Sequence, residues 1–147
     1  LGAQSLRELD ETVDLGPLTE VQRKRVRHVF SENARVTSTV ELLEGEGREG
    51  CSIRGIGELL LASHDSLAHD YEVSCVELDA AVSAAMSAGA LGARMIGGGF
   101  GGSAIALVDT ENVEMIAEAV VAEFSDRGFR APDIFAVGPG QGAGRVD

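Results

Sequence analysis

Cysteine and basic residues are both scarce in this chain. The two cysteines, Cys51 and Cys75, cannot form a disulfide framework, and they fit a reducing cytosol. Lys and Arg number 12 against 24 Asp and Glu, a net charge of −12. Phosphate backbones and anionic lipid surfaces need a surplus of Lys and Arg. The charge therefore argues against a nucleic-acid or membrane partner. No apolar run approaches the roughly 18 residues of a membrane span. No charged-then-apolar leader precedes the first residues, so nothing suggests secretion, and a cytoplasmic location is the expectation. No Cys-x-x-Cys pair or His-Glu-x-x-His run occurs.

Apolar residues make up 44% of the 147 and charged residues 24%. That is the composition of one globular domain, able to bury roughly 70% of its unfolded surface. Residues 1–147 read as a single domain with 138–147 a flexible tail, since Gly138–Gly144 holds four glycines in seven residues. Leu1–Asp10 reads as an entry in mid-domain, which implies a fragment.

The pattern predicts helices first. Val26, Val29, Phe30, Ala34, Val40 and Leu43 recur near the helical period across Leu18–Glu44, with Pro17 placed to start the helix and Gly45 to stop it. Glu44–Gly50 reads as a turn. Ile53, Ile56, Leu60 and Leu67 mark a second helix, Ile53–His69, and the short connection suggests an antiparallel pair. Ser74 and Glu77 have capping-box spacing before a third helix with Leu78, Ala81, Val82 and Ala85 on its apolar face and Gly89 as its stop. Leu91–Ile96 and Ser103–Val108 are short apolar runs bounded by glycine, and read as strands. A fourth helix, Glu111–Arg127, follows, with Thr110 able to cap it and Gly128 to end it. Ile134–Val137 reads as a last strand. This order argues for α+β, with one sheet face packed on helices.

The glycine segment is the most informative. Seven of the fourteen residues Gly89–Gly102 are glycine. Each costs about 0.5–1 kcal/mol relative to Ala in a regular element. A dense cluster points to a backbone that takes unusual dihedrals or approaches something closely. Successive N–H groups in such a loop form an anion-binding concavity. Gly97, Gly99 and Gly102 match G-x-G-x-x-G, but the dinucleotide fingerprint needs a helix next and a strand follows here. No Lys-Ser/Thr pair makes a Walker A loop. A tight hairpin without a ligand is the alternative reading.

Other clusters carry less. His64, Asp65, His69 and Asp70 match no zinc spacing and read as a polar helix end facing water. Cys51 and Cys75 read as small buried or half-buried residues. Arg23, Lys24, Arg25 and Arg27 read as a solvated helix face paired with acids.

The run Gly92-Ala93-Arg94-Met95-Ile96-Gly97-Gly98-Gly99-Phe100-Gly101-Gly102-Ser103 resembles the third signature motif of galactokinases, members of the GHMP kinase superfamily. Ser63-His64-Asp65-Ser66-Leu67, Asp70-Tyr71-Glu72-Val73-Ser74-Cys75, Glu77-Leu78-Asp79, Arg25-Val26-Arg27-His28-Val29 and Glu32-Asn33 resemble the same family's stretches upstream. The likeness runs from Leu1 to Val108, and more loosely to the end. Ile96 stands where the family usually has Thr, Val76 where it has Pro, Ser103 where it has Cys, and Ala68-His69 where it has an Arg-Asp-like pair.

The resemblance implies a ferredoxin-like GHMP kinase C-terminal domain, α+β, with an antiparallel sheet packed on helices. It implies ATP-dependent phosphorylation of the C1 hydroxyl of galactose. ATP and Mg²⁺ would be bound mainly by an absent N-terminal half of the same protein, which would also hold the catalytic residues, so none is assigned here. The nucleotide-binding residues it implies are Gly97, Gly98, Gly99, Phe100, Gly101 and Gly102. Phe100 reads either as a wedge between the two halves or as a hairpin core residue. A sheet lacking one strand would leave an open edge, at which two fragments could pair. Kinases for another sugar, and a non-catalytic sensor of sugar and ATP, are the alternatives.

Overall fold

The computed structural model describes residues 5–6, 12–44, 53–138, 140 and 142. The elements run α1 (Glu20–Glu44), α2 (Ile53–His69), α3 (Val76–Ser87), β1 (Gly92–Ile96), β2 (Ser103–Leu107), a 3₁₀ turn (Thr110–Asn112) and α4 (Val113–Asp126). The predicted turn over Glu44–Gly50, the stop at Gly45, Cys51, the entry at Leu1–Asp10 and most of the tail lie largely outside the described residues. Among the described residues no helix is long and apolar enough to cross a membrane.

Local chemistry explains most boundaries. Thr19 and Gln22 form a reciprocal capping box that starts α1: Thr19 N–H donates to Gln22 Oε1 at 2.9 Å, and Gln22 N–H to Thr19 Oγ1 at 3.3 Å. Gly89 and Gly128 take positive φ just beyond α3 and α4. Ala90 N–H then reaches the Ala85 carbonyl, and Phe129 N–H the Phe124 carbonyl, the bonds of a Schellman stop.

Two expected caps are absent. Cys75 occupies the N-cap of α3 without a side-chain bond, because the Ser74 hydroxyl donates to Asp79 instead, at 2.5 Å. Thr110 opens the 3₁₀ turn, and Asn112 is the N-cap of α4.

β1 and β2 form an antiparallel hairpin with Gly92 opposite Leu107 and Ile96 opposite Ser103. The expected strand Ile134–Val137 is not one. The described sheet has two strands, and a segment with no strand neighbour among the described residues stays irregular. Phe135 and Val137 are exposed there.

Helices α2 and α3 pack on the hairpin, α1 packs on α2, and α4 on α3. The main core joins Ala80, Val82 and Ala85 of α3, Ala93 of β1, and Ile116, Val120 and Phe124 of α4. Met95, 1% exposed, joins Leu67 and Leu78 in a second cluster.

Two apolar patterns read from sequence misassign burial. On α1, Val26 is buried, whereas Val40 and Leu43 are exposed, because α2 covers only part of that long helix. On α2, the buried residues are Gly57, Ser63, His64, Ser66 and Leu67. That face is small and polar rather than aliphatic.

The reason is a backbone contact. A Cβ built on Gly57 would lie 2.0 Å from the Leu91 carbonyl oxygen, and one on Gly92 would lie 2.1 Å from the Gly57 carbonyl oxygen. Helix and strand touch with no side chain between them. We expect Gly57→Ala to lower stability by about 2–3 kcal/mol, the upper range for overpacking. Gly98→Ala, where a Cβ meets nothing within 4 Å, should be near neutral. Urea unfolding of both variants checks this.

Buried histidines add an acid sensitivity. His28 Nδ1 bonds Ser66 Oγ at 3.0 Å, and the ring stacks on Tyr71 with centroids 4.6 Å apart. Burial lowers the pKa of His28 and of His64 below 6.5, chiefly by desolvating the charged ring. Their contribution is therefore complete above pH 6.5. Below it, the unfolded chain takes up protons that the folded chain resists, so stability falls with pH. We expect the melting temperature to drop between about pH 7 and pH 5.5, and to drop less in His64→Asn, which cannot titrate.

Candidate functional site

The glycine segment Gly97–Gly102 is the loop of the β1–β2 hairpin. Positive φ occurs at Gly97, Gly99, Phe100, Gly101 and Gly102. Five left-handed residues in six curl the backbone, a conformation that side-chain-bearing residues resist. The result is an open concavity of about 430 Å³ lined by Ile96 through Ser103. All six residues singled out from sequence therefore meet in one feature.

No residue from Ile96 to Ser103 carries a charge. Attraction for an anion would come from backbone amides and the Ser103 hydroxyl.

Phe100 is 76% exposed, so it is not a hairpin core residue. Its amide donates to the Val73 carbonyl at 2.7 Å. Gly99 lies against the same residue: a Cβ there would sit 2.1 Å from the Val73 oxygen. Gly99 is thus required by packing. Added Cβ atoms at Gly97, Gly98, Gly101 and Gly102 meet nothing within 4 Å, so those positions border open space.

A polar cluster that the sequence pattern did not reveal joins α1, α2 and β1. Glu32 accepts from Ser63 Oγ at 2.8 Å and from Arg94 at 3.0 Å, and Arg35 lies 2.9 Å from its other oxygen. Burial raises the Glu32 pKa, but the Ser63 and Arg35 bonds and the Arg35 and Arg94 charges outweigh it and hold the carboxyl below its ordinary 4.5. Arg94 also donates to the Met95 carbonyl at 3.0 Å. It is anchored on α1 and does not serve the concavity. Glu32 and Arg94 lie 62 residues apart, so no local spacing signals their pairing.

His64 departs from its reading as a water-facing residue. It is 5% exposed, and its Nδ1 accepts the Met95 N–H at 3.3 Å. His69 does stay at the surface, on the Asp65 carbonyl at 2.9 Å. Cys75 is half-buried and free. The basic face of α1 pairs with acids as expected: Lys24 and Arg25 with Glu72 at 3.1 and 2.7 Å, and Arg27 with Asp70 at 2.8 Å.

Among the described residues, no group of three or more His, Cys, Asp or Glu could hold a metal.

A family model described as GHMP kinases C terminal matches residues 48–126, more than half of the chain. The chain belongs to the GHMP kinase C-terminal family. It is 44% identical to the galactokinase of Streptomyces coelicolor, over 99% of this chain and 38% of that protein. Identity to the galactokinase of Pyrococcus furiosus is 42%, over 98% of this chain and 39% of the relative. A crystal structure of Lactococcus lactis galactokinase complexed with galactose matches with a TM-score of 0.77 at 40% identity, over 90% of this chain and 34% of that one. The chain spans about two fifths of the length of these curated relatives. The α+β fold of this family, an antiparallel sheet packed on helices, is the one expected from the resemblance.

The Glu32 cluster gives a testable consequence. Glu32→Gln leaves Arg35 and Arg94 without their carboxylate and should cost about 1–3 kcal/mol in denaturant unfolding. The lowered pKa means that this contribution is present above pH 4.5 and is lost as pH falls further. The variant's stability should therefore fall less steeply below pH 4.5 than the wild type's.

Proposed function

We propose that this chain is the C-terminal domain of a cytoplasmic, ATP-dependent galactokinase, an enzyme that transfers the γ-phosphoryl of ATP to the C1 hydroxyl of galactose with Mg²⁺. Identity above 40% to galactokinases from two organisms, over nearly the whole chain, carries this reading. The uncharged concavity Ile96–Ser103 supports a role at the nucleotide phosphates. In that role the chain closes the cleft against an N-terminal half that supplies the catalytic residues. The Phe100 amide is engaged by Val73, so phosphate binding falls to the glycine amides. The exposure of the Phe100 ring supports a role as a wedge against the other half. Phosphoryl transfer depends on alignment and charge neutralisation more than on covalent help, so a loop made of amides can contribute without a reactive side chain.

The test is ADP release by the intact kinase with galactose, N-acetylgalactosamine, arabinose or no sugar. Turnover selective for galactose is expected, with the 147-residue chain silent by itself. Selective turnover of another sugar would reassign the substrate, and ATP binding without turnover would indicate a sensor. Gly98→Val places a side chain in the concavity where packing tolerates it. It should reduce turnover at least about tenfold while leaving the melting temperature nearly unchanged. Equal loss of both would make the loop structural only. Among the described residues β2 pairs with β1 alone, which supports pairing of two copies of the isolated chain at its other edge, and sedimentation at rising concentration would detect it.

A further inference from the structure

The glycine loop is tied down at two points, and both ties lead to one carboxylate. At the tip, Phe100 N–H donates to the Val73 carbonyl at 2.7 Å, and Gly99 packs on Val73. The next residue, Ser74, donates its hydroxyl to Asp79 Oδ1 at 2.5 Å. At the base, Met95 N–H donates to His64 Nδ1 at 3.3 Å, one residue before the concavity begins at Ile96. A ring that accepts at Nδ1 carries its hydrogen on Nε2 when neutral. That Nε2 lies 3.4 Å from the same Asp79 Oδ1.

We propose that Asp79 is a positioning residue that clamps the glycine loop from both ends, through Ser74 at the tip and through His64 at the base. It touches neither loop nor ligand. It sets the angle at which the loop amides meet a phosphate group. Three features support a positioning role over a capping one. Asp79 lies in the first turn of α3, but Cys75 is the N-cap and has no side-chain bond. The Asp79 side chain is 50% exposed, so its value does not come from burial. The two ties arrive from different elements, α2 and the segment before α3, which a helix cap would not require. The groups facing His64 are Asp79 on α3, Asp65 and His69 on α2, and Arg94 on β1. Of these, Asp79 is the one placed at Nε2.

The functional half of this inference rests on the phosphate-loop reading above, and the structural half does not. The test compares Asp79→Asn, Ser74→Ala and the surface control Glu77→Gln in the intact kinase. The readouts are KM for ATP, KM for galactose, kcat, and amide hydrogen exchange at Met95 and Phe100. Asp79→Asn should raise KM for ATP about tenfold, move KM for galactose less than about twofold, and speed exchange at both amides. Ser74→Ala should speed exchange at Phe100 and leave Met95 unchanged. Glu77→Gln should match the wild type throughout.

Wild-type exchange at both amides in Asp79→Asn, and in Asp79→Ala, which also removes the acceptor oxygen that Asn keeps, would overturn the clamp. So would an equal rise in both KM values with faster exchange throughout α2 and α3, since that marks general destabilisation. If Asp79→Asn does not fold, Ser74→Ala decides, and unchanged Phe100 exchange there overturns the proposal. If the wild type turns over no sugar, the phosphate-loop reading fails separately, and the exchange data alone decide whether Asp79 holds the loop.

Discussion

The contact between the backbones of Gly57 and Gly92 sets the position of everything else. Helix α2 lies on strand β1 with its Gly57 carbonyl against the Gly92 main chain. A glycine inside a helix costs about 1 kcal/mol relative to alanine, and here that cost is offset by an approach that no other residue permits. The approach brings His64, two turns further along α2, to the Met95 amide. It also seats the Met95 side chain between Leu67 and Leu78. The hairpin is thereby aimed, and its loop with it.

Close backbone packing explains the character of the interior. The main core is rich in alanine, as layers that approach closely must be. The space between α1, α2 and β1 is filled by polar side chains that satisfy one another: His28 with Ser66, and Ser63 and Arg94 with Glu32. Among the described residues no buried side-chain nitrogen or oxygen lacks a partner. A fully satisfied network of this kind gives orientation more than stability. It holds the hairpin at a fixed angle to the helices.

The same economy governs charge. The acidic excess is large, yet the basic residues near the loop are engaged. Arg94 is held by Glu32, and the α1 cluster is held by Asp70 and Glu72. Glu72 itself sits at φ 58, in the turn that leads to Val73 and the loop tip, and Lys24 and Arg25 hold it there. The concavity is left without side-chain charge. It offers a shaped backbone, which suits a domain that completes a site rather than one that performs the chemistry alone.

The sequence alone was enough for the four helices, the hairpin and the glycine loop. These depend on local periodicity and on residues such as Gly89 and Gly128, whose effect is confined to their own turn. The motif around Gly97–Gly102 likewise announced the family, because it is contiguous. Three things were decided only by tertiary structure. Ile134–Val137 has the composition of a strand but no strand to pair with among the described residues. His64 reads as a surface residue until the Gly57–Gly92 contact brings β1 over it. Glu32 and Arg94 are partners across 62 residues, and Asp79 gathers His64 and Ser74 from two different elements. Pairing, burial and convergence are properties of neighbours in space, and a chain read in order specifies only neighbours in sequence.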